Sequence, residues 1–278
     1  MGRKERAEER RKQRQQEISL FRTIPYSDHQ RWWNSETIAV VTGANRGIGF
    51  EIARQLCGHG LTVILTSRDS AIGREAASVL QEGGFNAVSH QLMFLILHLS
   101  NSLLNGCSRT MALSTFSEFC ENAENVIATN YFGTKNVIKA MVPLMKPSAS
   151  GARIVNVSSR LGRINGRRNK IEDSALRGQL EDVDSLSEEV IDQMVHTFVE
   201  QVKDGTWTSA GWPQTFTDYS VSKLAVNCYT RIMAKVLSDR PEGNVSVEEG
   251  ADTGVWLALL PDQSVTGKIF AERREVHF

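Results

Sequence analysis

Two residues able to move a proton stand one helical turn apart in the stretch YSVSK: Tyr219 and Lys223. On a helix, residues four apart project from the same face, so the phenol and the ammonium would be neighbours. A positive charge beside a phenol favours the ionised form and lowers its pKa from the ordinary ~10. A phenol so tuned can exchange a proton with a substrate oxygen near neutral pH. The same pair also occurs on solvated helix surfaces, so the spacing alone does not establish catalysis. A helix is expected here, because Val221, Leu224, Ala225, Cys228, Ile232 and Val236 recur at helical spacing.

The elements that must position this pair lie earlier. TIAVVTG (Thr37 to Gly43) is a short, apolar, β-branched run ending in a glycine turn, which predicts a buried parallel strand. In the following ANRGIGFEIARQL, Ile48, Ile52 and Leu56 recur every four residues, as on a helix. Gly43, Gly47 and Gly49 thus sit between a strand and a helix N-terminus. There, bare backbone can approach a pyrophosphate, and the free N–H groups and dipole of the helix favour the anion. A second strand, LTVILTS (Leu61 to Ser67), ends in Arg68. Folds that choose NAD place an acidic residue near this point, whereas Arg68 and the nearby Arg46 suit a 2′-phosphate and favour NADP(H). The plainer alternative is two surface arginines.

Further strand and helix patterns follow: a helix from about Ala71 to Gln81, a strand from Asn86 to Leu92, and a long helix after Phe116 that ends before Pro147 and contains Asn130. Mid-helix asparagine is slightly unfavourable, and nothing local gives it a role. ARIVNVSS (Ala152 to Ser159) reads as a buried strand that delivers Ser158 to the carboxyl end of the sheet, where ligands bind in open α/β folds. Residues 160–212 are polar, with helices expected around Leu176 and from Ser187 to Val202, and read as an inserted cap. Trp207 and Trp212 in it could line a pocket or pack in the core. After the tyrosine helix, Glu248 to Leu260 is expected to be helical and Val265 to Phe270 to form a last strand.

At 278 residues with zero formal net charge, the chain fits one large α/β domain, and nothing global points to nucleic acid or an anionic membrane. The apolar run after Gln91 is shorter than the ~20 residues that span a bilayer. Cys57, Cys107, Cys120 and Cys228 are scattered, without metal-ligand spacing, and no secretory signal precedes them. A reducing, cytoplasmic setting with free thiols is expected, which makes the sequons at Asn156 and Asn244 chance matches. Residues 1–35 form a separate arm: the first 17 mix Arg, Lys, Glu and Gln with almost nothing apolar, whereas Trp32 and Trp33 could pack on the domain 36–278.

Together, TGANRGIG (Thr42 to Gly49), Asn130, IVNVSS and YSVSK resemble the classical short-chain dehydrogenase/reductases. The long insertion, the GWP before the tyrosine and the closing GADTGVWLALLPDQ narrow the resemblance to plant monomeric carbonyl reductases of the neomenthol dehydrogenase and salutaridine reductase type. The resemblance implies a doubly wound parallel (Rossmann) sheet and an NADPH-dependent monomer. Its substrate would be a small lipophilic ketone, aldehyde or alcohol such as a terpenoid. It also implies roles: Tyr219 as acid/base, Lys223 lowering its pKa and binding the nicotinamide ribose, Ser158 on the substrate oxygen, Asn130 holding a relay water. Gly43, Asn45, Arg46, Gly47, Ile48 and Gly49 would line the phosphates, with Arg46 and Arg68 selecting NADPH.

Two family segments have no counterpart. Where the family has an aspartate-bearing turn, a helix and a strand ending in NNAG, this chain has Met93 and no NNAG, unless MFLIL (Met93 to Leu97) takes the strand's place. Between Gly243 and Asn244 the family has a strand and a PGWVKT-like loop. The sheet is therefore expected to be incomplete by one or two strands, the signature of an altered or skipped stretch. The alternative function is then a relic that binds cofactor weakly or not at all. An epimerase with the extended form of this fold shares the tyrosine-lysine pair but uses another glycine spacing.

Overall fold

The computed structural model describes residues 31–92, 111–145, 151–166, 169–237, 244–248, 251–261 and 265–278; for 111–118 and 244–248 it describes the backbone only. The amino-terminal half follows the sequence pattern closely, as β1 (Ile38–Val41), α1 (Gly47–Gly58), β2 (Thr62–Ser67), α2 (Ser70–Glu82) and β3 (Ala87–Gln91). All three strands are parallel, with Val41 opposite Leu65 and Leu65 opposite Ser89. The central strand buries Val63 and Leu65 completely. Helix α2 begins where it does because the Asp69 carboxylate accepts the N–H groups of Ala71 and Ile72, at 2.7 and 3.0 Å. Such a cap is worth about 1 kcal/mol.

The second half contains α3 (Met111–Ile127), a π-helical turn (Ala128–Gly133), α4 (Thr134–Met141), β4 (Arg153–Val157), α5 (Ser174–Glu181), α6 (Glu188–Lys203), α7 (Thr217–Leu237), β5 (Asn244–Glu248), α8 (Ala251–Leu259), β6 (Ile269–Ala271) and β7 (Arg274–Val276). Strands β4, β5 and β6 are parallel, and β7 folds back antiparallel. Three elements differ from the sequence reading. The long helix through Asn130 is broken by the π turn and closes in a 3-10 turn at Val142–Leu144, where Pro143 cannot donate the next helical bond. Glu248, expected in a helix, ends a strand instead. The last strand is confined to Ile269–Ala271 and reverses through Glu272 and Arg273, both at positive φ.

The segment NVSVE overturns part of the incompleteness argument. It follows the junction where a strand was thought lost, yet it is itself a strand, paired with β4 along all five residues and with Ile269 on its other side. The remaining break is central. Strands β1-β2-β3 form one sheet and β4-β5-β6-β7 another, and no strand joins β1 to β4 among the described residues. Met93–Leu97, Gly243 and residues 1–30 of the arm lie outside the described residues.

Helix α8 spans that break. Its Val255 and Leu259 share one buried cluster with Ile52, Ala53 and Leu56 of α1, while the helix also packs on β4. Trp32 adds a clasp: its indole N–H donates to Leu259 O at 3.2 Å, and the Arg153 guanidinium of β4 lies 4.6 Å from its ring centre. Trp33, beside it, is buried in the same cluster. In the other half, α7 and α6 pack against α3 and α4 around Tyr131, Phe198 and Tyr229. Strand β5 lies between α7 and α8, so helices cover both faces of this sheet.

One charged contact ties α6 to α4 within this core. Lys135 of α4 is buried, and its ammonium donates to both Asp192 oxygens of α6, at 2.8 and 2.7 Å, with Glu188 at 3.1 Å. Burial opposes that charge, but the carboxylate hydrogen bonds outweigh it and the lysine pKa is raised. Asp192→Ala leaves the ammonium to Glu188 alone and takes the acceptor from the buried Tyr131 hydroxyl, which donates to Asp192 at 2.6 Å. We expect urea unfolding to show a loss of a few kcal/mol, below the ~3–5 kcal/mol of a fully buried pair because Asp192 is 33% exposed. The double variant Lys135→Met/Asp192→Leu should recover only part of that loss, because the buried Tyr131 hydroxyl stays without its acceptor.

Candidate active site

Helix α7 is not amphipathic. Its core positions close around it on all sides, leaving Asp218, Tyr219 and Lys223 open near its start and Arg231, Lys235 and Val236 near its end. Val236 is therefore outside the periodic core the sequence suggested. Burying so much of one helix requires partners for its polar side chains. Asn169 donates to Ser220 Oγ at 2.8 Å, Asn156 to Thr230 Oγ1 at 2.8 Å, and Asn227 to Gly162 O at 2.8 Å. The buried amide of Asn156 also explains why its sequon carries no meaning.

The four residues expected to be catalytic meet at the first two turns of α7. Lys223 reaches across to the end of β4, where its ammonium donates to Val157 O at 2.9 Å, and it lies 5.5 Å from the Tyr219 ring centre. Burial pushes its pKa down to about 8. Ser158, buried at the strand end, donates to Lys223 O at 3.2 Å. Asn130 sits in the π turn rather than in regular helix, and its amide donates to Ser222 Oγ at 3.0 Å. Ser222 in turn donates to Tyr219 O at 2.7 Å. The wider turn supplies the reason that a mid-helix asparagine lacked.

Gly162 makes this approach possible, and the sequence analysis missed it. A β-carbon there would lie 2.5 Å from the Lys223 carbonyl carbon and 2.7 Å from Leu224 N. The 3-10 turn after Ser159 therefore rests directly on the helix backbone. Asn227 was missed as well; a polar residue within an otherwise apolar helical stretch was the available signal. Trp212 belongs to the core, edge-on to Phe198 with its N–H bonded to Gln201, and Trp207 stacks on Phe119. Neither lines the tyrosine site. A recess between Asp184, Arg231, Lys235 and Gly267 lies at the far end of α7 and shares no residue with it.

The glycine turn takes the expected shape. Gly43 and Gly47 have φ of +62 and +60, which favours glycine, and added β-carbons there would point into open space. Gly49 packs so closely on Gly43 O that a β-carbon would sit 2.5 Å away. The turn is anchored to the second strand by Ala44 N donating to Thr66 O at 2.9 Å. Unlike α2, α5 and α6, helix α1 has no side-chain cap, and like α2 and α5 it has no acidic residue in its first turn. Its leading N–H groups are left for an anion. Asn45 is half-buried and Ile48 exposed beside the turn; Arg46 and Arg68 are both exposed, and neither guanidinium has a hydrogen bond or ion pair among the described residues.

The short chain dehydrogenase family profile matches residues 37–94 and 101–171. The chain is 35% identical to the (+)-neomenthol dehydrogenase of Arabidopsis thaliana, over 86% of this chain and 96% of that one. The chain belongs to the short-chain dehydrogenase family. Carbonyl reductase [NADPH] 3 of Rattus norvegicus is 36% identical over 81% of this chain and 91% of the relative. The solved structure of a menthone neomenthol reductase from Mentha piperita superposes with a TM-score of 0.69 and 30% identity, covering 86% and 99% of the two chains. As a short-chain dehydrogenase the chain is an oxidoreductase with a nicotinamide cofactor, and the uncapped glycine turn fits the pyrophosphate of such a group. Among the described residues no helix is long and apolar enough to cross a membrane, and no cluster suits a metal ion.

The depressed lysine pKa has a direct readout. Because burial disfavours the ammonium, Lys223 loses its proton at lower pH than an exposed lysine. In the cofactor-free protein, amine-selective labelling followed by peptide mapping should show Lys223 reacting with a midpoint near pH 8. Exposed lysines should follow near ~10.4.

Proposed function

We propose that this short-chain dehydrogenase interconverts a small lipophilic ketone or aldehyde and its alcohol, using NADP(H). The observation that carries the reading is the pairing of Tyr219 with a half-buried, pKa-depressed Lys223 on the open strip of α7, at the carboxyl end of β4. The activities for which the relatives are named, on neomenthol and on carbonyls with NADPH, support the substrate and cofactor class.

In this reading the bound cofactor supplies or accepts hydride at the carbonyl carbon. The Tyr219 hydroxyl gives the matching proton to the carbonyl oxygen, and the Lys223 ammonium stabilises the phenolate left behind. Ser158 turns its hydroxyl from Lys223 O to the substrate oxygen and fixes its position. Asn130 holds the water through which Tyr219 is reprotonated. Gly43, Asn45, Gly47, Ile48 and Gly49 shape the phosphate cradle, and Arg46 and Arg68 clamp the 2′-phosphate.

Tyr219→Phe keeps the ring and removes the proton. Turnover of menthone with NADPH should fall by ~10²–10⁴-fold, the usual worth of a placed acid, while NADPH affinity measured by fluorescence stays within about twofold of the parent. Unchanged turnover would refute the assignment. For the clamp, Arg46→Ala/Arg68→Ala should cut the NADPH-over-NADH preference about ten- to a hundredfold, from the ~1.5–3 kcal/mol of a hydrogen bond to a charged group. Equal losses for both cofactors would leave the arginines without a role in choosing between them.

A further inference from the structure

Phe216 stands immediately before α7 and is 70% exposed, although it is a large aromatic residue. Its backbone φ of +46 lies in the left-handed region, which a β-carbon disfavours. Nothing about packing demands this. The local hydrogen bonds enforce it: Ser220 N donates to Phe216 O at 2.7 Å, and Ser220 Oγ donates to Thr215 O at 2.7 Å. The buried Asn169 then locks the turn from the cap side. Its amide donates to Thr215 O at 3.2 Å and to Ser220 Oγ at 2.8 Å, while its carbonyl oxygen accepts Thr215 N at 3.0 Å. Every polar atom of one buried side chain is thus committed to holding a strained turn.

The turn's position says what it holds. Phe216 O accepts the N–H of Ser220, so the residue sits at the very start of α7, three positions before Tyr219. On the helix itself Tyr219 and Lys223 share the open strip, since neighbouring positions Thr217, Ser220, Val221 and Ser222 are all buried. An exposed aromatic ring three positions before the proton donor offers apolar surface to a bound substrate.

We propose that Phe216 is a substrate-contacting wall that receives the apolar body of an alicyclic ketone, and that Asn169 is the positioning residue that presents it. The proposal rests on the reductase reading and names its specificity element. Menthone, an alicyclic ketone, and propanal, which has no ring to contact, are the discriminating probes for steady-state kinetics of the full chain with NADPH.

Phe216→Ala should raise KM for menthone about tenfold or more, a factor equal to ~1.4 kcal/mol of lost contact. The kcat, the KM for propanal and the NADPH affinity should each stay within about twofold. Asn169→Ala should shift the menthone KM in the same direction, and Asn169→Asp, which keeps the acceptor for Thr215 N, should shift it less. Unchanged KM values, or equal shifts for both substrates, overturn the proposal. If the parent protein shows no Tyr219-dependent turnover, the reductase reading fails separately. Saturation-transfer NMR with menthone then decides Phe216: a signal lost in Phe216→Ala supports the wall, and a signal equal in both proteins, or absent from the parent, rejects it.

Discussion

The structure depends on how closely the end of β4 and its following turn lie against helix α7. Gly162, with no β-carbon, lets backbone meet backbone at Lys223 and Leu224. Three hydrogen bonds then cross the seam in both directions: Ser158 to Lys223 O, Lys223 to Val157 O, and Asn227 to Gly162 O. A larger residue at 162 would push apart the two elements that carry the serine and the tyrosine-lysine pair. Placement within fractions of an ångström is what a site of this kind needs, and here close backbone packing supplies it. The burial of α7 follows from the same contact, because a helix pressed on one side by β4 and β5 and on others by α3 and α6 has little surface left to expose.

Among the described residues, that half meets a sheet interrupted between β1 and β4. Strands β1 and β4 are both edges among the described residues, and the outward side chains Ile38, Val40 and Val157 are exposed. Unpaired edges with apolar side chains are a liability in a folded protein. The two halves nevertheless share α8, whose Val255 and Leu259 pack with α1 while its other contacts fall on β4 and β5. The Trp32 clasp closes the same seam from Leu259 to Arg153. Cohesion across the break thus comes from helix burial and one aromatic-cation contact.

Much of this was legible in the chain, for identifiable reasons. The glycine turn could be read because positive φ and close approach demand glycine at fixed offsets between a strand and a helix. Ser158 could be read because a β-branched run ends just before it. The π turn at Asn130 could not, since apolar spacing is nearly the same for a long α-helix as for one with a single wide turn. Strand β5 was hidden because a five-residue alternation in NVSVE carries little weight beside the longer apolar run of WLALL that follows. Gly162 and Asn169 were invisible for a different reason: each matters only through a segment 65 and 51 residues away, respectively.

Two desolvated lysines, one buried and one half-buried, show why the site is more than packing. Lys135 and Lys223 are both drawn out of water, and desolvation opposes the charge of each. Lys135 is answered by Asp192 and Glu188, keeps its proton more firmly than in water, and ties α6 to α4. Among the described residues Lys223 meets only the neutral carbonyl of Val157 and the face of the Tyr219 ring, and its pKa falls. A cation left without a carboxylate costs the fold stability, since its charge is desolvated with no compensating partner. Under the proposed reading, the charge not tied to a carboxylate is available to an oxygen that turns negative only during reaction, here the phenol of Tyr219, whose ring centre lies 5.5 Å from the ammonium. An acidic neighbour at that spot would stabilise the resting fold and weaken the pull on a phenolate, so in that reading the resting fold gives up stability in return for a lysine that can act on the tyrosine.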